Sequence, residues 1–121
     1  MTLPAIFDRL RLPIIASPLF LVSGPDLVIA QCKAGIVGSF PALNARPQTM
    51  LDEWIHRITE ELAAWNRDNP DRPAAPFAVN QIVHKSNNRW EEDMATCEKW
   101  QVPIIITSLG AREDLNTAVT R

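Results

Sequence analysis

Asn80 is the polar residue of greatest chemical interest, because it directly follows the apolar run Phe77-Ala78-Val79. A side-chain amide at the end of a buried strand can donate and accept hydrogen bonds at once, which suits the edge of a flavin or nucleotide ring. The same amide would equally serve to tie down a loop backbone. Ser17 and Pro18 follow Ile14-Ile15-Ala16, and Thr107 and Ser108 follow Ile104-Ile105-Ile106. Three apolar runs that each end in a small or amide polar residue form a candidate ligand-facing rim, since α/β folds bind ligands at the carboxyl ends of their strands. His84 and Lys85 have the types of an acid and an electrophile. They sit several residues past the third run, which favours a solvated loop pair.

The remaining reactive types point to structure. Cys32 and Cys97 have no second cysteine or histidine at ligand spacing, so they read as buried free thiols and no metal site is expected. His56 lies among charged neighbours and reads as surface. Trp54, Trp65, Trp90 and Trp100 fall at core spacings on helices and read as packing. Ser23-Gly24-Pro25 lacks the repeated glycines of a phosphate loop, and Gly-x-Gly-x-x-Gly does not occur.

The elements that must position these residues alternate strand and helix. Leu3 to Leu12 form an amphipathic lead-in. Pro13 to Ala16 is the first predicted strand, and its unbroken apolar character suggests cover on both faces. Pro25 at a first helical position and Asp26 at the positive end of the helix dipole open a helix that closes at Gly35. Ile36 to Phe40 is the second strand, and Pro41 to Pro47 the loop after it. Thr49 with Asp52 makes a weak capping box for the longest helix, whose Leu51, Trp54, Ile55, Ile58, Leu62 and Trp65 recur every three or four residues. Asn66 to Pro76 reads as a surface connection, Phe77 to Gln81 as the third strand, and a helix from near Asn88 buries Trp90, Met94 and Cys97. Val102 to Thr107 is the fourth strand, and Leu115, Ala118 and Val119 begin a last helix.

The chain has 121 residues, is 46% hydrophobic and carries a formal charge of −2. That suits one domain with a real core. Its twelve basic and fourteen acidic residues are dispersed, which gives no stripe for a nucleic-acid backbone. The apolar run from Ile14 to Ala30 is broken by Ser17, Pro18, Ser23, Gly24, Pro25 and Asp26, so no membrane helix is expected. The start lacks the pattern of a secretory signal, and a cytoplasmic location is the expectation. Four strands in an open sheet would leave Ile104 to Ile106 beside an edge that invites association. A (β/α)8 barrel needs ~250 residues. The chain is therefore expected to be the N-terminal half of such a barrel, with self-association into a homo-oligomer left open.

Pro13-Ile14-Ile15-Ala16-Ser17-Pro18-Leu19, then Val22-Ser23-Gly24-Pro25, Lys33-Ala34-Gly35-Ile36-Val37-Gly38-Ser39-Phe40 and Phe77-Ala78-Val79-Asn80, in that order, closely resemble the nitronate monooxygenase family, formerly the 2-nitropropane dioxygenases. The resemblance covers nearly the whole chain. It implies a TIM barrel with one non-covalent FMN that oxidises alkyl nitronates with O2 to a carbonyl compound and nitrite. By the same resemblance, Ser17, Pro18 and Leu19 match the segment that contacts the flavin, with Phe20 just behind it. Asn80 matches the flavin-binding asparagine, and Thr107 lies where the next strand reaches the cofactor. Leu19 departs from the methionine frequent in the family, which changes the wall beside the ring. The family's catalytic histidine, its lysine near the flavin and its glycine-rich phosphate loops have no counterpart in this chain. No catalytic residue is therefore assigned here, and these 121 residues alone are expected to bind little flavin and to show no turnover. Flavin-type enoyl-ACP reductases share the opening and the Val-Asn after the third strand. A non-catalytic α/β module completed by a partner is the alternative from another class.

Overall fold

The apolar repeat of the long helix is what the core is built around. A computed structural model describes residues 4–110, and in it Met50–Asp68 forms a helix that buries Leu51, Ile55, Ile58 and Leu62. Each such side chain contributes roughly 1.5–3 kcal/mol when withdrawn from water. Two shorter helices flank it in sequence. In chain order the helices are α1 (Pro25–Ala34), α2 (Met50–Asp68) and α3 (Trp90–Lys99), and the strands are β1 (Gly38–Pro41), β2 (Phe77–Ile82) and β3 (Ile104–Ser108). The strands pair in parallel in the order β1-β2-β3, so each βα unit adds its strand on the same side of the last.

Register decides which side chains face which layer. Phe40 lies beside Val79 and Val79 beside Ile105, while Pro41, Asn80 and Ile106 form the next row. Successive side chains of a strand point to opposite faces. Phe40, Val79 and Ile105 pack with the helices, so Gln81 and Thr107 share their side. Ser39, Ala78, Asn80, Ile82, Ile104, Ile106 and Ser108 occupy the opposite face.

α1 has the boundaries its sequence predicts. Gly24 is extended at the start, Pro25 opens the first turn, and Gly35 ends the helix at φ 100°. The Gly35 and Ile36 N–H groups donate to the Cys32 and Gln31 carbonyls at 3.1 and 3.3 Å, the paired bonds of a Schellman ending.

Several expectations are corrected. Pro13 to Ala16 is not a buried strand but a single parallel bridge between Ile15 and Val37, closed by Val37 N–H to Ile14 O at 3.0 Å and Ala16 N–H to Val37 O at 2.8 Å. Ile14 and Ile15 are exposed, because nothing among the described residues pairs with their outer edge and Pro13 and Pro18, which lack N–H groups, bracket the segment. Thr49 is itself helical and makes no side-chain cap, while Asp52 accepts hydrogen bonds from Lys99 and Trp100 instead. The lead-in shortens to a 3-10 turn at Ala5–Arg9 that buries nothing fully. The 66–76 connection is more anchored than its composition suggests: Ala74 and Ala75 are buried, and Ala75 N–H donates to Cys32 O at 2.8 Å. Trp90 is only half-buried, and Asp93 takes a buried place beside Met94 and Cys97. The predicted helix carrying Leu115, Ala118 and Val119 lies outside the described residues.

Candidate functional site

The rim at the carboxyl ends of the strands is assembled from β2, β3 and the 17–23 loop. Asn80, 7% exposed, sits inside β2 with its amide on the face opposite Phe40, Val79 and Ile105. Its Nδ2 donates to Ile106 O at 2.9 Å and to Ser108 Oγ at 3.1 Å. Tying down backbone is thus half of what this residue does. Among the described residues its Oδ1 accepts no hydrogen bond, so an acceptor remains at the rim. Thr107 pairs with Gln81 in the register, which puts its side chain on the helix side, away from Asn80. Ser108 is the hydroxyl that Asn80 meets.

The other part of the rim is the loop that leaves the Ile15 bridge. Ser39 Oγ donates to Ala16 O and fastens the base of the loop to the sheet face. Ser17, Leu19 and Phe20 are exposed and Pro18 is half-buried. Leu19 O accepts from the Val22 and Ser23 N–H groups at 3.2 and 2.9 Å, and Leu19 N–H donates to Ser23 Oγ at 2.9 Å. Arg46 lies 5.4 Å over the Phe20 ring, a cation–π contact at the mouth. The Ile15 bridge from which this loop departs lies two strand spacings of ~4.8 Å, about 10 Å in all, from β2.

Sequence reasoning missed Asn44. Its Oδ1 accepts from Leu21 N–H at 2.9 Å, and its Nδ2 donates to Leu19 O at 3.0 Å and Ser23 O at 2.8 Å. The available signal was a lone amide in the otherwise apolar and basic loop Pro41-Ala42-Leu43-Asn44-Ala45-Arg46-Pro47. Also unforeseen is a buried ion pair behind that loop: Arg89 Nη2 meets Asp93 Oδ1 at 3.1 Å, with Asp93 fully buried. Arg89 donates further to Ala45 O at 2.9 Å and Ala42 O at 3.3 Å, and Gln48 Nε2 donates to Asp93 Oδ1 at 3.2 Å. Burial pushes the Asp93 carboxyl above its ordinary value, with the Arg89 and Gln48 hydrogen bonds opposing the shift.

No family model matches the chain, and neither does any curated protein compared with it. What the site can do rests on its own chemistry.

The reactive candidates set aside from sequence fall where their surroundings place them. His84 and Lys85 are exposed, and His84 Nδ1 engages Ser86 Oγ at 2.9 Å within a turn. His56 is exposed and stacks on Trp100 with ring centroids 5.0 Å apart. Cys32 and Cys97 are buried free thiols, and desolvation pushes them up to about 11 and about 12, which leaves them protonated and poorly nucleophilic. Among the described residues no three His, Cys, Asp or Glu side chains group to hold a metal ion, and no helix is long and apolar enough to cross a membrane. A cavity of about 390 Å³ lies at the opposite end, lined by Ile6, Leu62, Phe77, Trp100 and Pro103 near the strand starts. In open parallel α/β sheets and barrels alike, ligands bind at the carboxyl ends of the strands, so the carboxyl rim remains the candidate.

Proposed function

We propose that residues 4–110 form one wall of an FMN site in a nitronate monooxygenase built on a (β/α)8 barrel. What supports this reading is that the Asn80 amide lies near the carboxyl end of β2, tied to β3, while the Ser17–Phe20 loop is fastened to β1 and the segment after it through Ser39 and Asn44. Sequential addition of parallel strands, with no reversal of order among the described residues, accords with a barrel wall, and one half of a doubly wound sheet has the same run.

The residues present fit a flavin ring in part. Asn80 Oδ1 is positioned to accept from a ring N–H, while its donors are committed to β3. The 17–20 loop leaves a bridge that stands two strand spacings, about 10 Å, from β2, a span of the order of a fused tricyclic ring. Thr107 would meet the cofactor through its backbone only. A bound FMN would supply the electron acceptor for the nitronate, with O2 as co-substrate, because the cofactor carries the difficult chemistry and the protein orients it. None of the described residues takes the role of the base.

The decisive assay is oxygen-dependent nitrite release from propionate-3-nitronate with FMN, run on the polypeptide that the native gene encodes. Release that needs both FMN and O2 is the expected result. NADH consumption with an enoyl thioester and no nitrite would replace this reading with an enoyl-ACP reductase. These 121 residues alone are expected to lose added FMN on desalting, since one wall without a phosphate clamp holds a cofactor weakly.

A further inference from the structure

We propose that Asn44 is the positioning residue for the ligand-facing loop and that the buried Arg89–Asp93 pair holds Asn44 in place, so that loop geometry is set from α3. The inference rests on the flavin reading for what the loop meets, and on this chain's own hydrogen bonds for the rest.

Asn44 reaches across more than twenty positions to grip three backbone groups of one turn, at Leu19, Leu21 and Ser23. Those bonds use both ends of the amide, so its orientation is defined. Leu21 adopts φ 63°, a left-handed conformation uncommon outside glycine, and such backbone persists where the surroundings over-determine it. The Oδ1 acceptor on Leu21 N–H is the contact that does so. Local bonds alone, from Leu19 to Val22 and Ser23, close the turn without selecting the direction in which Leu19 and Phe20 project.

Asn44 is held in turn. It ends a one-turn 3-10 segment, Ala42–Asn44, and Arg89 donates to the carbonyls on either side of it, Ala42 O and Ala45 O. Arg89 is kept there by Asp93, which nothing else in the reading of the site employs. A guanidinium suits this task because its rigid fork serves several acceptors at once, which an ammonium does not reproduce. The path from α3 to the rim is therefore Asp93, Arg89, the 42–45 backbone, Asn44, and the 19–23 loop.

Amide-resolved NMR on the 121-residue chain tests this in two arms. In the first arm, hydrogen exchange is followed in wild type, Asn44→Ala, and the paired Arg89→Met, Asp93→Leu variant, which removes the ion pair without stranding a buried charge. Leu21 N–H should exchange at least tenfold faster in Asn44→Ala and severalfold faster in the paired variant, with the β2 amides unchanged. Asn44→Ser supplies the same comparison if Asn44→Ala does not fold. Leu21 exchange within twofold of wild type in a folded Asn44 variant overturns the proposal.

The second arm titrates FMN to about millimolar concentration. Shift changes at Ser17 to Phe20 and at Asn80 in wild type, weakened in Asn44→Ala at an unchanged urea midpoint, support positioning toward the ligand. Equal FMN responses in both proteins overturn that role even if the loop has loosened. If wild type shows no FMN response, the role of Asn44 toward the ligand is overturned, the exchange arm alone decides whether Asn44 fixes the loop, and the flavin reading stands or falls separately on the nitrite assay with the polypeptide that the native gene encodes.

Discussion

Ser108, and not Thr107, shares a face with Asn80, because side chains alternate along a strand and a shift of one residue moves a side chain to the other layer. The sequence shows two adjacent hydroxyls after Ile104-Ile105-Ile106 and cannot choose between them until the register with β2 is known. Asn80 itself was legible as a polar break after an apolar run. The commitment of its donors to β3 was not, since that depends on a partner 26 and 28 positions later. Asp93 shows the same limit in a charged residue: its place between Glu92 and Met94 does not reveal that it is fully buried against Arg89. Its carboxyl titrates above the ordinary 3.8 in the folded protein. The native state therefore holds that proton more tightly than the unfolded chain, and the group's contribution to stability falls as pH rises through its folded titration and is flat above it. Urea midpoints compared across pH for wild type and Asp93→Asn should show this downward slope in wild type relative to the variant as pH rises from the ordinary 3.8.

At the scale of elements, α1 and β1 meet at Gly38, where close approach requires glycine. A Cβ there would lie 2.6 Å from the Val28 carbonyl oxygen and 3.1 Å from Cys32 Sγ. The carbonyl belongs to a helix backbone and cannot swing aside, so overpacking costs of about 1–3 kcal/mol are expected for Gly38→Ala. Gly24→Ala is the control, because its Cβ would meet only Trp54, at 4.0 Å, and it should stay within about 1 kcal/mol of wild type. Urea unfolding at constant slope reads both. Helices α1 and α2 were readable from their caps and periodicity. The first strand was not, for an apolar run bracketed by prolines looks the same whether it is covered or sits at an edge.

For the whole molecule, the parallel sheet has two open edges among the described residues, at Ile15 and at β3. Large apolar side chains are exposed beside both, including Leu12, Ile14, Ile15 and Leu19 to Val22 on one side and Leu109 on the other. Unpaired edges with apolar flanks template association, and lysine is a natural blocker. Light scattering of the 121-residue chain should show a radius that grows with concentration, and Ile15→Lys should reduce that growth. A wild-type radius constant at a compact monomer's value would count against the reading of these edges as a barrel wall.

Local chemistry was enough to determine the alternation of strands and helices from α1 to β3, the ends of α1 and the buried stripe of α2. Each depends on neighbours within about four positions, through capping, helical periodicity and strand exits. Only the tertiary structure decided that the Ile14–Ala16 segment is an exposed bridge, that Ser108 replaces Thr107 beside Asn80, and that Asn44 and the Arg89–Asp93 pair hold the loop carrying Ser17 to Phe20. Those outcomes rest on pairing register and on hydrogen bonds between residues more than twenty positions apart, and no local pattern encodes which distant backbone group a polar side chain will find.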